Sequence, residues 1–301
     1  MIASRLGELA ALLTAVLWAF TALYFTLAST RVGVLAVNRT RLVFAVLLLG
    51  ATHLFVYGTL LPLSAPLESW LWLGLSGLIG LTLGDSFLFQ SYIELGPRKA
   101  TLIMSSWPIF SALMGIAFLG EALTWLEFLG ILVTLAGISW VVLERSPTTG
   151  PVRNGRLGRG TAFALGGALC QAAGLVAAKE GLREGVSSLS GTLIRMVVAT
   201  LGILIVTVAL GGVRESFDKL RDRRALLYTA CGAATGPFVG VWLSLYAVSH
   251  AKVGVASALM APVPVLLLPL VWIFFKERIS RRAFLGTLVA FMGVALLLLE
   301  N

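Results

Sequence analysis

The sequence predicts an all-α polytopic membrane protein of ten transmembrane helices arranged as two inverted five-helix repeats. Three observations carry this. First, the 301 residues are 58% hydrophobic and only 12% charged, where a soluble domain carries about a quarter charged residues. Second, the back of the first half returns in the second half at a constant offset of 156 residues, as from Gly80 to Gly236. Gly84, Ala100, Met104, Pro108, Phe118, Glu121, Phe128, Leu129, Gly130 and Gly137 meet Gly240, Ala256, Met260, Pro264, Phe274, Glu277, Phe284, Leu285, Gly286 and Gly293. Third, the only long hydrophilic, turn-rich stretch is ERSPTTGPVRNGRLG, from Glu144 to Gly158, midway along the chain.

A helix needs roughly 20 apolar residues to cross a bilayer. On that rule the spans fall at 6–29, 34–57, 70–92, 98–119, 122–143, 159–180, 188–210, 225–248, 252–275 and 281–299. The chain then divides into a first repeat (1–144), a linker (145–158) and a second repeat (159–301). Five spans is an odd number, so the second repeat enters the membrane upside down relative to the first. Such a pair, related by an axis in the membrane plane, points to a transporter with a central site. No small-residue cleavage site follows the first span, which is therefore expected to be retained.

The net charge of +9 gives no footprint for nucleic acid, because the basic residues crowd into alternate loops. Arg31 and Arg39, Arg98 and Lys99, Arg145 to Arg159, Arg214 to Arg224, and Lys276 to Arg282 all fall on one side. The positive-inside rule makes that side cytoplasmic and places both termini outside, in the plasma (inner) membrane. Cys170 and Cys231 lie within spans, where they are small apolar fillers rather than a metal or disulfide site. No cofactor, metal or catalytic residue is expected.

Two segments carry a family resemblance: GPRKATLIMSSWPIFSALMGIAFLGEALTWLEFLGILVTLAGI and AKVGVASALMAPVPVLLLPLVWIFFKERISRRAFLGTLVAFMGV. Each has a Pro in the fourth span of its half and a Glu 13 residues later (Pro108 and Glu121; Pro264 and Glu277). With ten spans in two repeats, the chain resembles the drug/metabolite transporter superfamily, and most closely its EamA-type branch. The resemblance implies a carrier for amino acids, sugars, nucleotide precursors or other metabolites. It suggests export, with an amino acid as first substrate; the chain itself is expected to work as a monomer. It also implies that spans one, three, four, six, eight and nine line the pathway. One departure is that many relatives keep their termini in the cytoplasm, against the charge pattern here.

The candidate cavity residues are Trp18, Asp85, Gln90, Tyr92, Ser105, Trp107, Gln171, Lys179, Trp242 and Tyr246, with Ser106 and Ser244 beside them. Asp85, in GLTLGDSFLFQSY, is the one acid placed deep within a span. A charge there costs about 2.5–3.5 kcal/mol on insertion scales and must face protein or water. It is a candidate for proton coupling or for contact with a cationic group, against a hydrogen-bonded structural role. Lys179 could pair with Asp85, bind a carboxylate, or snorkel to the interface. Arg41 and Arg195 open the second span of each half; interface anchoring is set against contact with a substrate anion. Pro108 and Pro264 are helix-kink candidates because proline removes an amide donor. Glu121 and Glu277 read as acids at a positive helix end rather than as proton carriers. Gly80, Gly84, Gly232, Gly236 and Gly240 allow close helix approach.

No Walker-type phosphate loop is present, so the partners expected are a small-molecule substrate, the lipid bilayer and, as coupling ion, protons. Two other classes compete. A non-transporting scaffold or receptor has no need of a central site between symmetric halves. A membrane hydrolase is suggested by Gly84-Asp85-Ser86-Phe87, but the chemistry needs a base near Ser86, and His53 and His250 both stand near span ends.

Overall fold

The computed structural model describes residues 2–95, 97–143, 157–209, 221–275 and 280–299. Most of the expected linker, together with Glu277 and Arg214, lies outside the described residues. Among the described residues, ten helices are long and apolar enough to cross a membrane: Arg5–Val32, Val34–Tyr57, Leu67–Leu95, Lys99–Leu119, Trp125–Leu143, Leu157–Gly181, Ser188–Ala209, Arg223–His250, Val253–Leu270 and Arg281–Leu299. Numbered first to tenth in that order, they match the ten expected spans to within a few residues. Large apolar side chains such as Phe55, Phe118, Trp125 and Ile205 stand exposed on the outside, as a lipid-facing surface requires.

The halves interleave. The first span packs on the eighth and ninth, and its repeat counterpart, the sixth, packs on the third and fourth. The second and seventh meet each other, and each also meets the third or eighth span of the other half. The fifth and tenth cross each other to the side of the rest, in an extensive pairing. Glycine makes that crossing possible. A Cβ on Gly137 would stand 2.2 Å from the Ala290 nitrogen, and one on Gly293 would stand 2.3 Å from the Thr134 nitrogen. Backbones touch here, so dispersion contacts replace the hydrophobic drive that lipid cannot supply.

The fourth and ninth spans each break at the same point of the repeat. Helix runs over Pro97–Met104 and again over Trp107–Leu119; in the ninth it runs over Val253–Met260 and again over Val263–Phe275. The breaks follow Met104 and Met260, the residues four before Pro108 and Pro264. A proline ring clashes with that carbonyl and offers it no amide, so the ladder must stop there. The third and eighth spans are also irregular in parallel. Each widens to π-helix, at Gly77–Gly84 and Ala234–Gly240. Pro237 within the second segment removes a donor; the first has only its glycines.

The two ends of the bundle differ. At the end away from the basic loops, Trp107–Leu119 packs on Val253–Met260, and Val241–His250 packs on the sixth and seventh spans. All eight residues of Val253–Met260 are buried. At the basic-loop end the counterpart segments, Pro97–Met104 and Val263–Phe275, do not pack together comparably. Of residues 99–104 only Ala100 is buried. One end is shut and the other is splayed.

Candidate functional site

Asp85 begins the α-helical turn directly after the π segment of the third span and is only 5% exposed. Its Oδ2 accepts from Nη2 of Arg41, on the second span. Nε of Arg41 donates to Oδ1 of Asn38 at 2.9 Å, and the guanidinium lies over the rings of Phe25 (5.6 Å) and Phe89 (5.8 Å). Arg195, on the seventh span, comes from the other half and is 3% exposed. It lies within electrostatic reach of Asp85. Its guanidinium fits against a glycine, since a Cβ on Gly80 would stand 2.8 Å from Nη2 and 3.6 Å from Oε1 of Gln171. Both repeat-related arginines thus lie inside the bundle rather than at its surface as interface anchors, and it is Arg41 that pairs with the carboxylate.

The other expected cavity residues fall into separate places. Trp18 and Gln171 sit at the middle level: a Cβ on Gly240 would stand 2.7 Å from the Trp18 indole nitrogen, and one on Gly84 would stand 3.7 Å from the Gln171 backbone nitrogen. Ser105 and Trp107 flank the break in the fourth span, where the Ser105 hydroxyl donates to the Thr101 carbonyl at 2.8 Å. Trp242 stacks near Phe238 against the core around the seventh span. Gln90 and Tyr92 lie toward the basic-loop end, Gln90 donating to Glu94 at 2.9 Å and Tyr92 resting near Phe89. Ser86, the nucleophile of the hydrolase alternative, spends its hydroxyl on the Thr82 carbonyl one turn back.

Lys179 and Tyr246 belong to the shut end. Lys179 does not reach Asp85; Nζ donates to Oε1 of Glu121 at 2.7 Å and to the Ala251 carbonyl at 2.6 Å. Glu121 follows Gly120, whose left-handed backbone (φ 67°) turns the chain out of the fourth span. It caps the ninth span rather than its own neighbour, accepting from the Val253 amide at 2.8 Å. The fifth span is capped instead by Glu127. Its Oε2 accepts from the Thr124 amide at 2.8 Å, and the Thr124 hydroxyl accepts in return from the Glu127 amide at 3.2 Å. This is a reciprocal capping box, T-x-x-E, a signal local enough to read from the sequence. Lys252 then binds both oxygens of Glu127, at 2.7 and 2.8 Å. These four residues, with Glu8 and His250, line a cavity of about 440 Å³. Tyr246 stacks on His250 beside it.

A duplicated ten-span bundle whose halves interleave around a buried charge cluster is the architecture of an integral membrane carrier. The comparisons agree with it. The family model described as "EamA-like transporter family" matches residues 5–143 and again 158–299. The chain therefore belongs to the EamA-like transporter family, whose members are membrane transporters of small molecules. A solved crystal structure, titled only "Crystal structure of protein", shares the fold with a TM-score of 0.76 at 19% identity, covering 98% of this chain and 96% of its own. No curated protein matches.

Proposed function

We propose that the protein is a secondary transporter that moves a small metabolite across the plasma membrane by alternating access, with amino-acid export as the working assignment. The single observation that supports this best is the unequal packing of its two ends. Sequence-related segments are packed together at one end and apart at the other, while the charge cluster lies between. Exchanging those two arrangements between the halves would carry a site at the cluster from one side of the membrane to the other. With the basic loops cytoplasmic, the form described opens inward, as a carrier awaiting a cytoplasmic substrate would.

The driving force is assigned to protons through Asp85, with facilitated diffusion as the other outcome. Flux of a labelled amino-acid panel in proteoliposomes, with and without an imposed pH gradient, tests both. Saturable flux strengthened by the gradient supports coupling, and gradient-independent saturable flux supports facilitated diffusion. Absence of any saturable flux removes amino acids from the assignment and turns the test to sugars and nucleosides.

A further inference from the structure

The cluster at the middle of the bundle is unbalanced, and the imbalance identifies the substrate's charge. Two arginines face one aspartate. The repeat partner of Asp85 is Val241, so the second half adds a cation and no acid. Glu94, nine residues further along the third span, already receives Gln90 and Arg159. Glu121 and Glu127 are engaged by lysines at the shut end. Asp85 itself is held by Arg41, and nothing described neutralises Arg195 beyond its distant share of that carboxylate.

Arg195 also has an open valence. Its Nε is buried and has no hydrogen-bond partner among the described residues. A guanidinium presents five donors in a rigid fork matched to a carboxylate. A buried donor left unmade is costly, and a buried uncompensated charge more so. The fold nevertheless makes room for this group, leaving out a side chain at Gly80 where a Cβ would crowd Nη2. Gln171, half-buried beside it on the sixth span, offers an amide for a second contact.

We infer that Arg195 binds the carboxylate of the transported solute, and that this solute is a small organic anion of net charge −1. The inference rests on the transporter reading and narrows its substrate class. Binding brings the cluster from a formal charge of +1 to zero, so occupied and empty carriers differ by one charge in their burial cost. In the binding form Arg41 and Asp85 are paired and position the site; Arg195 carries the ligand.

The test uses isosteric pairs differing only in that charge: L-glutamate against L-glutamine, L-aspartate against L-asparagine, and L-lactate against lactamide. Binding is read as thermal stabilisation of the purified protein in detergent, and transport separately as flux in proteoliposomes. The expected result is stabilisation by at least one acid, tenfold or more weaker for its amide. That ratio should fall toward one in Gly80→Ala, which displaces the guanidinium while keeping its charge. Arg195→Lys should keep the preference for the acid at lower affinity, and Arg195→Gln should lose it. Equal binding of acid and amide, or binding by none of the three acids, overturns the inference. Saturable flux of a neutral or cationic solute with no response to Arg195→Lys also overturns it and leaves the transporter reading standing. Acid-selective binding without flux does the reverse.

Discussion

The Val253 amide, first in the ninth span, donates to Oε2 of Glu121 at 2.8 Å, so a residue of the first half caps a helix of the second. Lys179 holds the same carboxylate through Oε1 at 2.7 Å. One side chain therefore fastens three spans at the shut end. An acid at a helix N-terminus also meets the positive end of the helix dipole.

Glu121→Gln keeps an acceptor for Val253 and removes the charge that Lys179 needs. A hydrogen bond to a charged group contributes about 1.5–3 kcal/mol, and the lower end applies to a lysine that is one-fifth exposed. The shut end should open more often. With Cys170 and Cys231 replaced by Ala, a Val255→Cys probe in the cavity lining should react several-fold faster with a membrane-impermeant maleimide. Unchanged labelling would mean that the ion pair does not hold this end closed.

Pro108→Ala and Pro264→Ala supply the missing amide and remove the clash with the carbonyl four residues earlier. Each should let its span run through as one helix, with thermal stability changed by no more than about 1 kcal/mol, since the regained ladder bond opposes the freedom returned to the unfolded chain, while transport slows. Flux and melting temperature measured together decide it. Flux at the native rate with either variant would show that the breaks are not needed for the cycle.

Gly137→Val puts branched carbons where the Ala290 backbone already stands. Overpacking of this kind costs about 1–3 kcal/mol, and rigid backbone on the far side leaves little room to yield. Thermal inactivation should begin at clearly lower temperature. The neighbouring exposed position Leu132→Val is the control, with little change expected.

Asp222 caps the eighth span outside the membrane. The amides of Ala225 and Arg224 each donate to its Oδ1 at 3.0 Å, and Arg31 binds its Oδ2 at 2.8 Å. The Ala225 amide first, then Arg31 and the Arg224 amide, hold its carboxyl below the ordinary carboxylate range. A depressed folded value means that the contribution is present above the unfolded pKa and is lost as pH falls through the folded one. Hydrogen exchange at Arg224 and Ala225 should therefore stay protected near neutrality and lose protection in acid, below the usual carboxylate range. Asp222→Ala should show that loss already at neutral pH, and Asp222→Asn, which still accepts from the amides, much less of it.

The spans and their duplication were legible because bilayer thickness sets helix length and because proline, glycine and glutamate recurred at one offset. The breaks before Pro108 and Pro264 follow from the local chemistry of proline, so the sequence placed them to within a turn. The grouping of Arg41, Asp85 and Arg195 was not legible. Its three members lie on the second, third and seventh spans, and hydropathy says nothing of which spans touch. Lys179 was a plausible partner for Asp85 by charge alone, but the two stand at different depths, and Glu121 reaches the lysine from the fourth span. Thr124 and Glu127 are legible as a local T-x-x-E signal, whereas the partners of Glu121 come from the sixth and ninth spans.

The fastening at Glu121 has no equal among the described residues. At the repeat-related positions, Glu277 answers Glu121, but residues 23–26, which answer Lys179, include no lysine, and Gly96 answers Lys252. A molecule made of two perfect copies would rest equally on either side of its cycle. Two lysines, supplied to one copy only, load the dice: in the alternating-access cycle proposed above, the idle carrier waits with the same door bolted, and its solute has to bring enough binding preference for the other form to draw the bolt.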